Sequence, residues 1–133
     1  MKHFLQYQSP DRLIEQKHAP GEGVFWIITR KKLYDLPGNC FWLIEGEGVP
    51  RSYFLKQVFI AEHIEQIVDA YFFYRITGTH GRLFQPPVEL TDYPWFKEMK
   101  FHLGNFSLGL SNLRKEYYGE LIKITRMRFQ DFL

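Results

Sequence analysis

The segment Val24-Phe25-Trp26-Ile27-Ile28-Thr29-Arg30 decides the fold class of this chain. It is rich in β-branched and aromatic residues, and its apolar residues follow one another instead of alternating with polar ones. A strand with two apolar faces is covered on both sides, as in a barrel or at the centre of a sheet. The segment therefore predicts a strand that is buried on both faces.

Three downstream segments carry the same pattern and predict further strands. They run from Cys40 to Glu45, from Ser52 to Ile60 and from Tyr71 to Thr77, and turn residues bound most of their ends. The isoleucines that follow the second of these segments also fit a helical period, and we favour a strand that bends. Aromatic-rich strands at such short spacing predict a small, strongly curved barrel.

Helices are predicted around this barrel. Ser9-Pro10-Asp11 is typical of a helix start, so residues 1–23 are predicted to form an entry segment with a short helix. Pro94 opens a second helix over Trp95 to Phe101, and Ser111 caps a third.

The remaining segments complete one predicted domain over residues 1–133. Two consecutive prolines make Phe84 to Leu90 extended, glycines make Gly104 to Leu110 a loop, and residues 123–133 form a basic C-terminal segment. The predicted fold class is α+β: a strongly curved, mostly antiparallel β-barrel over 24–122 with short peripheral helices.

Composition excludes a disordered chain and a polybasic one. The 133 residues are 45% hydrophobic with a formal net charge of +2, which suits a single packed core. Thirteen Phe, eight Tyr and three Trp make 18% of the chain aromatic. No polybasic block is present, so unselective electrostatic adhesion to nucleic acid is not expected.

The lone cysteine and the first residues predict a cytoplasmic setting. Cys40 lies within an apolar run, which indicates a buried, unreactive thiol and agrees with a reducing compartment. Residues 1–8 lack the apolar stretch of a secretory signal. The longest wholly apolar runs have five residues, whereas a membrane span needs about 20, so no membrane partner is predicted.

Catalytic and metal-binding patterns are absent from the sequence. The five histidines are far apart, and no two of them have the i, i+4 spacing of a zinc helix. No nucleophile elbow, Walker loop or dinucleotide fingerprint occurs, and Gly46-Glu47-Gly48 is better explained as a hairpin turn. The sequence therefore predicts a protein that is not an enzyme and that uses no cofactor or metal.

The order of the strand segments resembles that of the PUA-like domains, particularly their EVE and YTH branch. The resemblance spans residues 24 to about 122. It is carried by five segments, namely Phe25-Trp26-Ile27-Ile28, Phe41-Trp42-Leu43-Ile44-Glu45-Gly46, Tyr53 to Ile60, Arg75-Ile76-Thr77-Gly78 and Leu83 to Leu90 with its Pro-Pro-Val-x-Leu motif.

This resemblance implies a reader of nucleic acid. Members of the branch hold a single modified base in an aromatic-walled pocket, and bacterial members occur in modification-dependent restriction systems. The implied partner is a nucleic acid, with modified DNA as one candidate. A nuclease would reside on another chain, because this one is too short to include it.

Several side chains are candidates for such a site. Flat rings stack on a base, which contributes about 1–3 kcal/mol per base, and Asn or Ser on a loop can bond to its edge. Arg and Lys around the mouth would hold phosphates. The predicted base-binding residues are Trp26, Arg30, Trp42, Tyr53, Trp95, Asn105, Phe106 and Ser107, and the predicted phosphate contacts are Lys31, Lys32, Arg51 and Arg82.

Some of these residues fit structural roles equally well. Trp26 and Trp42 lie in apolar runs that also suit a core, Trp95 suits a helix anchor, and Asn105 suits a left-handed turn beside a glycine. The surplus aromatics also suit a protein-interaction domain or a homodimer. A small nucleotide-processing enzyme is a third alternative.

Overall fold

The computed structural model describes residues 1–9, 19–30, 37–67, 73–107 and 109–133. These residues form an α+β fold, as predicted, with strands in two sheets and two α-helices. The strands are β1 (His3–Gln8), β2 (Phe25–Thr29), β3 (Cys40–Glu47), β4 (Ser52–Ile60), β5 (His63–Gln66), β6 (Tyr74–Gly78), β7 (His80–Glu89) and β8 (Leu110–Asn112). The helices are α1 (Phe96–His102) and α2 (Lys115–Arg128), and a short 3-10 turn spans Gly104–Phe106.

The strands form one five-stranded sheet, ordered β7-β4-β3-β1-β8, and one three-stranded sheet, ordered β2-β6-β5. We call them the large sheet and the small sheet. All the strand pairs are antiparallel except β1 with β3. Over the described ranges neither sheet closes on itself into a barrel. After β4 the chain leaves the large sheet, and within two residues it begins β5 in the small one, so the predicted bending strand is two strands.

The large sheet is covered on both faces, which explains its doubly apolar strands. One core lies between this sheet and the helices and includes Trp42, Leu55 and Leu121. A second core lies between the two sheets and includes Phe41 and Ile76.

Cys40 is buried in the first of these cores, as predicted. Burial raises the pKa of its thiol to about 12. The thiol therefore stays protonated and unreactive at neutral pH.

Strand β1 is the main difference from the predicted architecture. Residues 1–23 were expected to precede the sheet, but β1 lies inside the large sheet between β3 and β8. The strand alternates, since Leu5 and Tyr7 face the helix-side core whereas Phe4 faces the core between the sheets. Its buried Gln6 and Gln8 hide the apolar pattern. The predicted helix that starts at Ser9-Pro10-Asp11 lies outside the described residues.

The carboxyl-terminal helix is also longer than predicted. Ser111 does not cap it but lies in β8, opposite Leu5 of β1. Helix α2 begins at Lys115 and continues through the first part of the expected basic segment 123–133. Basic residues suit its last turn because they oppose the negative end of the helix dipole. Neither α1 nor α2 is both long and apolar enough to cross a membrane.

His3 links β1 to this helix and to the core. Its ring is 6% exposed and stacks on Tyr118 at a centroid distance of 3.9 Å. The indole Nε1–H of Trp42 donates to His3 Nδ1 at 3.0 Å, which requires that nitrogen to be unprotonated. Burial lowers the pKa of His3 from its ordinary 6.5.

We expect the free energy of unfolding to fall as the pH drops below 6.5, the ordinary pKa of histidine. Below pH 6.5, the ordinary histidine value, the unfolded chain binds a proton at His3 that the folded chain does not. The free energy of unfolding therefore decreases, by at most about 1.4 kcal/mol per pH unit for one proton. Urea denaturation at pH 7.5 and 5.0, compared with the His3→Gln variant, isolates the contribution. An equal pH dependence in both proteins would contradict this assignment.

Candidate functional site

A cleft of about 850 Å³ opens beside strand β8. The end of β2, the middle of β1 and the chain between α1 and β8 form its other walls, and its size is that of a small-molecule site. The described residues that line it are Gln6, Ile28, Thr29, Arg30, Phe73, His102, Leu103, Phe106, Ser107, Gly109, Ser111 and Asn112.

Two phenyl rings, Phe73 and Phe106, stand in the walls of the cleft. The guanidinium of Arg30 lies 5.0 Å from the Phe73 ring centroid, within cation–π range. Phe106 stacks on Tyr7 with centroids 4.9 Å apart and ring planes only 4° from parallel. The cleft therefore offers flat apolar surface with a cation beside one ring.

The loop that carries Phe106 has an unusual backbone. Asn105 and Phe106 have φ values of 55° and 66°, in the left-handed region, which is uncommon for Asn and strained for Phe. The turn is closed on Gly104, whose carbonyl accepts from the Ser107 amide at 3.0 Å and from the Ser107 hydroxyl at 2.6 Å. Contacts of the Phe106 ring with Tyr53, in addition to Tyr7, hold it in place.

Among the described lining residues, Arg30 carries a positive charge and no side chain carries a negative one. Arg30 lies at one side, and His102 lies at the end of α1. The Tyr117 hydroxyl and His102 Nδ1 are 2.6 Å apart, so α2 fixes the orientation of the imidazole. Such a lining favours an anionic ligand over a cationic one.

The floor of the cleft includes a buried amide. Gln6 is 8% exposed, and its Nε2 donates to the Tyr7 carbonyl at 3.2 Å. Its Oε1 is buried and has no hydrogen-bond partner in the described part of the chain. Nearly all buried polar atoms are paired, so an unpaired acceptor on a residue that lines a cleft is a candidate contact for a ligand.

Three of the predicted base-binding residues line the cleft, namely Arg30, Phe106 and Ser107. Asn105 is on the same loop, but its side chain is exposed and does not line the cavity. Its left-handed φ matches the turn role that its sequence context also allows.

None of the four predicted Trp and Tyr residues lines the cleft, and three of them, Trp42, Tyr53 and Trp95, belong to or pack against the helix-side core instead. Trp42 is fully buried in the helix-side core. Trp26 lies on β2, where its carbonyl accepts from Gln57. Tyr53 packs against Phe96 and Phe106, and Trp95 packs beside Tyr93. The rings that wall the cavity are phenyl groups, not the expected indole and phenol groups.

The predicted phosphate contacts are also dispersed. Lys31 and Lys32 lie outside the described residues. Arg51 donates to the Tyr7 hydroxyl at 2.9 Å, and Arg82 lies over the Phe132 ring at 4.9 Å. Neither arginine lines the cleft, and their phosphate contacts stay predictions.

Sequence reasoning missed Gln6, Phe73, His102 and Asn112, which come from four separate parts of the chain. One signal was available for Gln6, since a polar residue alternates with apolar ones in an unrecognised strand. The others have no local pattern that separates them from surface or core residues.

Comparisons with known proteins leave the chain without an assigned family. No protein-family model matches it, and no curated protein matches its sequence. Across the described ranges, no group of three or more His, Cys, Asp or Glu side chains is placed to hold a metal ion.

Proposed function

We propose that this protein is a nucleic-acid-binding module that takes a base, including a modified one, into the cleft beside β8 without catalysing a reaction. The observation that carries the proposal is the lining: two phenyl rings, a buried amide with an unpaired oxygen, and a guanidinium without a carboxylate. A planar heterocycle attached to a phosphate matches each of these features.

Stacking supplies the affinity in this proposal. Phe73 lines the cavity and is partly exposed, whereas Phe106 lines it but is only 8% exposed, so Phe73 is the main stacking surface; a base stacked on an aromatic side chain gains about 1–3 kcal/mol. That gain is comparable to the cost of unstacking a base from its neighbours. A single strand, a mismatch or a weakened pair is therefore the preferred source of the base.

Charged and polar side chains hold the nucleic-acid strand in position in this proposal. Arg30 sits at the rim beside β2 and faces the ring of Phe73, so its guanidinium can contact a phosphate next to the bound base. The imidazole of His102, held by the contact of its Nδ1 with the Tyr117 hydroxyl, adds a second polar group on the cleft wall. The amide of Asn112 and the hydroxyl of Ser111 add groups that hydrogen-bond sugar or base.

The resemblance to the PUA-like domains supports the same function. The five segments that carry the resemblance lie in strands β2, β3, β4, β6 and β7, apart from Leu90, which follows β7. We propose that the two sheets correspond to the curved barrel of those domains, opened at the margin where the cleft lies.

A titration with single-stranded DNA tests the proposal. We expect Phe73→Ala to weaken binding by roughly 5- to 150-fold through lost stacking. We expect Arg30→Ala to lower the slope of log K against log salt by about one, because one phosphate contact is removed. Fluorescence anisotropy over a range of salt concentrations measures both effects.

Lys123→Ala is the matched control for charge. Lys123 is 73% exposed on α2, outside the cleft, so its loss leaves the salt slope unchanged. If wild-type protein binds no oligonucleotide, or if Phe73→Ala and Arg30→Ala bind as wild type does, the proposed function is wrong. A protein-interaction domain would then be the better assignment.

A further inference from the structure

Gln6 and Gln57 occupy the same cross-strand row of the large sheet. Both are paired in register with Leu43 of β3, Gln6 from β1 and Gln57 from β4. Leu43 belongs to the core between the sheets. Each glutamine is 8% exposed, so the two amides are buried to the same extent.

Their hydrogen bonding differs. Gln57 Nε2 donates to the Trp26 carbonyl at 2.7 Å and so ties the large sheet to the small one. Gln6 Nε2 donates only to the neighbouring Tyr7 carbonyl, at 3.2 Å, while its Oε1 is without a partner in the described ranges. The Gln57 amide therefore has a structural role, whereas the Oε1 of Gln6 contributes no hydrogen bond to the described structure.

Gln6, unlike Gln57, lines the cleft. Because Nε2 donates to the Tyr7 carbonyl, the unpaired atom of the Gln6 amide is Oε1, which is a hydrogen-bond acceptor. A buried acceptor without a partner is unfavourable by more than an ordinary hydrogen bond is favourable. A ligand that brings an N–H to this oxygen removes that penalty, whereas a ligand that brings a carbonyl adds repulsion.

We propose that Gln6 determines the specificity of the cleft and selects bases that carry an exocyclic amino group with at least one N–H. This inference rests on the proposed function and adds the chemical class of the ligand. An amino base and its monomethylated form satisfy Gln6 Oε1. A dimethylamino base and an oxo base in the same position do not.

Four short single-stranded DNAs that differ only at the central base test this selectivity. The central bases are adenine, N6-methyladenine, N6,N6-dimethyladenine and hypoxanthine. We expect the first two to bind about tenfold more tightly than the last two, the usual effect of one buried hydrogen bond. The dimethyl base retains the ring for stacking but adds a methyl group, whereas hypoxanthine lacks the amino N–H without added bulk, so a loss of affinity common to both reports the N–H.

Gln6→Leu connects the selectivity to this side chain. We expect the variant to bind all four oligonucleotides with the same low affinity and to melt a few degrees higher than wild type when free, because the unpaired oxygen is gone. A residue with a purely structural role would show the opposite change in melting temperature. Gln6→Met also removes the acceptor at nearly the same side-chain length, so we expect the same loss of preference, and it provides a second variant if the leucine protein fails to fold.

Gln57→Leu is the matched control. It removes an equally buried amide from the same row, so we expect a lower melting temperature and an unchanged order of the four affinities. Binding of all four DNAs with equal affinity by wild-type protein would overturn the role of Gln6 while leaving the proposed function intact. Absence of any binding would overturn both.

Discussion

Trp42→Ala lowers the free energy of unfolding by about 3–5 kcal/mol, the expected cost of removing a large aromatic side chain from a packed core. Trp42 is fully buried, and its indole donates to the buried His3 ring. The substitution leaves a cavity between the large sheet and the helices and removes the hydrogen bond to His3 Nδ1. Both effects act in the same direction.

Urea denaturation followed by circular dichroism measures this loss, because tryptophan fluorescence changes with the mutation itself. Trp42→Phe fills part of the cavity, so we expect a smaller loss and unchanged affinity for DNA in the folded variant. Normal stability of Trp42→Ala would show that the core packs differently. If Trp42→Phe has normal stability but no longer binds DNA, Trp42 belongs to the binding site, as the sequence analysis predicted.

Gly78→Ala costs about 3 kcal/mol of stability, the upper end of the usual range for overpacking. A Cβ at Gly78 would lie 2.0 Å from the carbonyl oxygen of Ile60 and 3.1 Å from the Phe59 ring. Gly78 ends β6, where the chain returns from the small sheet to β7 of the large one. The oxygen belongs to the backbone of Ile60, the last residue of β4. It cannot move without disturbing β4.

Gly119→Ala is the matched control for this change. Gly119 lies within α2, has no heavy atom within 4 Å of a Cβ position and lacks a positive φ. Alanine is the better helix former, so we expect this variant to gain about 0.5–1 kcal/mol. Thermal melting of both variants beside wild type measures the difference, and equal melting temperatures for the two would contradict the close approach at Gly78.

The fold was predictable where the hydrophobic pattern of a segment agreed with the burial of its residues in the folded chain. Strand β4 begins and ends at the predicted residues, Ser52 and Ile60, and α1 follows Pro94 as expected. β1 was missed because Gln6 and Gln8 are polar residues in buried positions, which a hydrophobic pattern cannot reveal.

The candidate site was predictable only in part, for a geometric reason. Arg30, Phe106 and Ser107 were found because charge at a strand end and a ring between glycines are local signals. Trp42 was predicted to wall the pocket because the sequence around a strand tryptophan is the same whether its indole lies in a core or in a pocket. The contribution of Phe73 depends on which distant segments the sheets bring together, and one sequence does not encode that in any local pattern.

The position of β1 between β3 and β8 has a consequence for biosynthesis. This strand leaves the ribosome before both of its neighbours, β3 and β8, which begin at Cys40 and Leu110. Pairings between such distant segments form slowly, because a long loop must close first. Strand β1 therefore lacks one of its two partners until β8 has been synthesised, and the nascent chain acquires the cleft, which β8 borders, only after that.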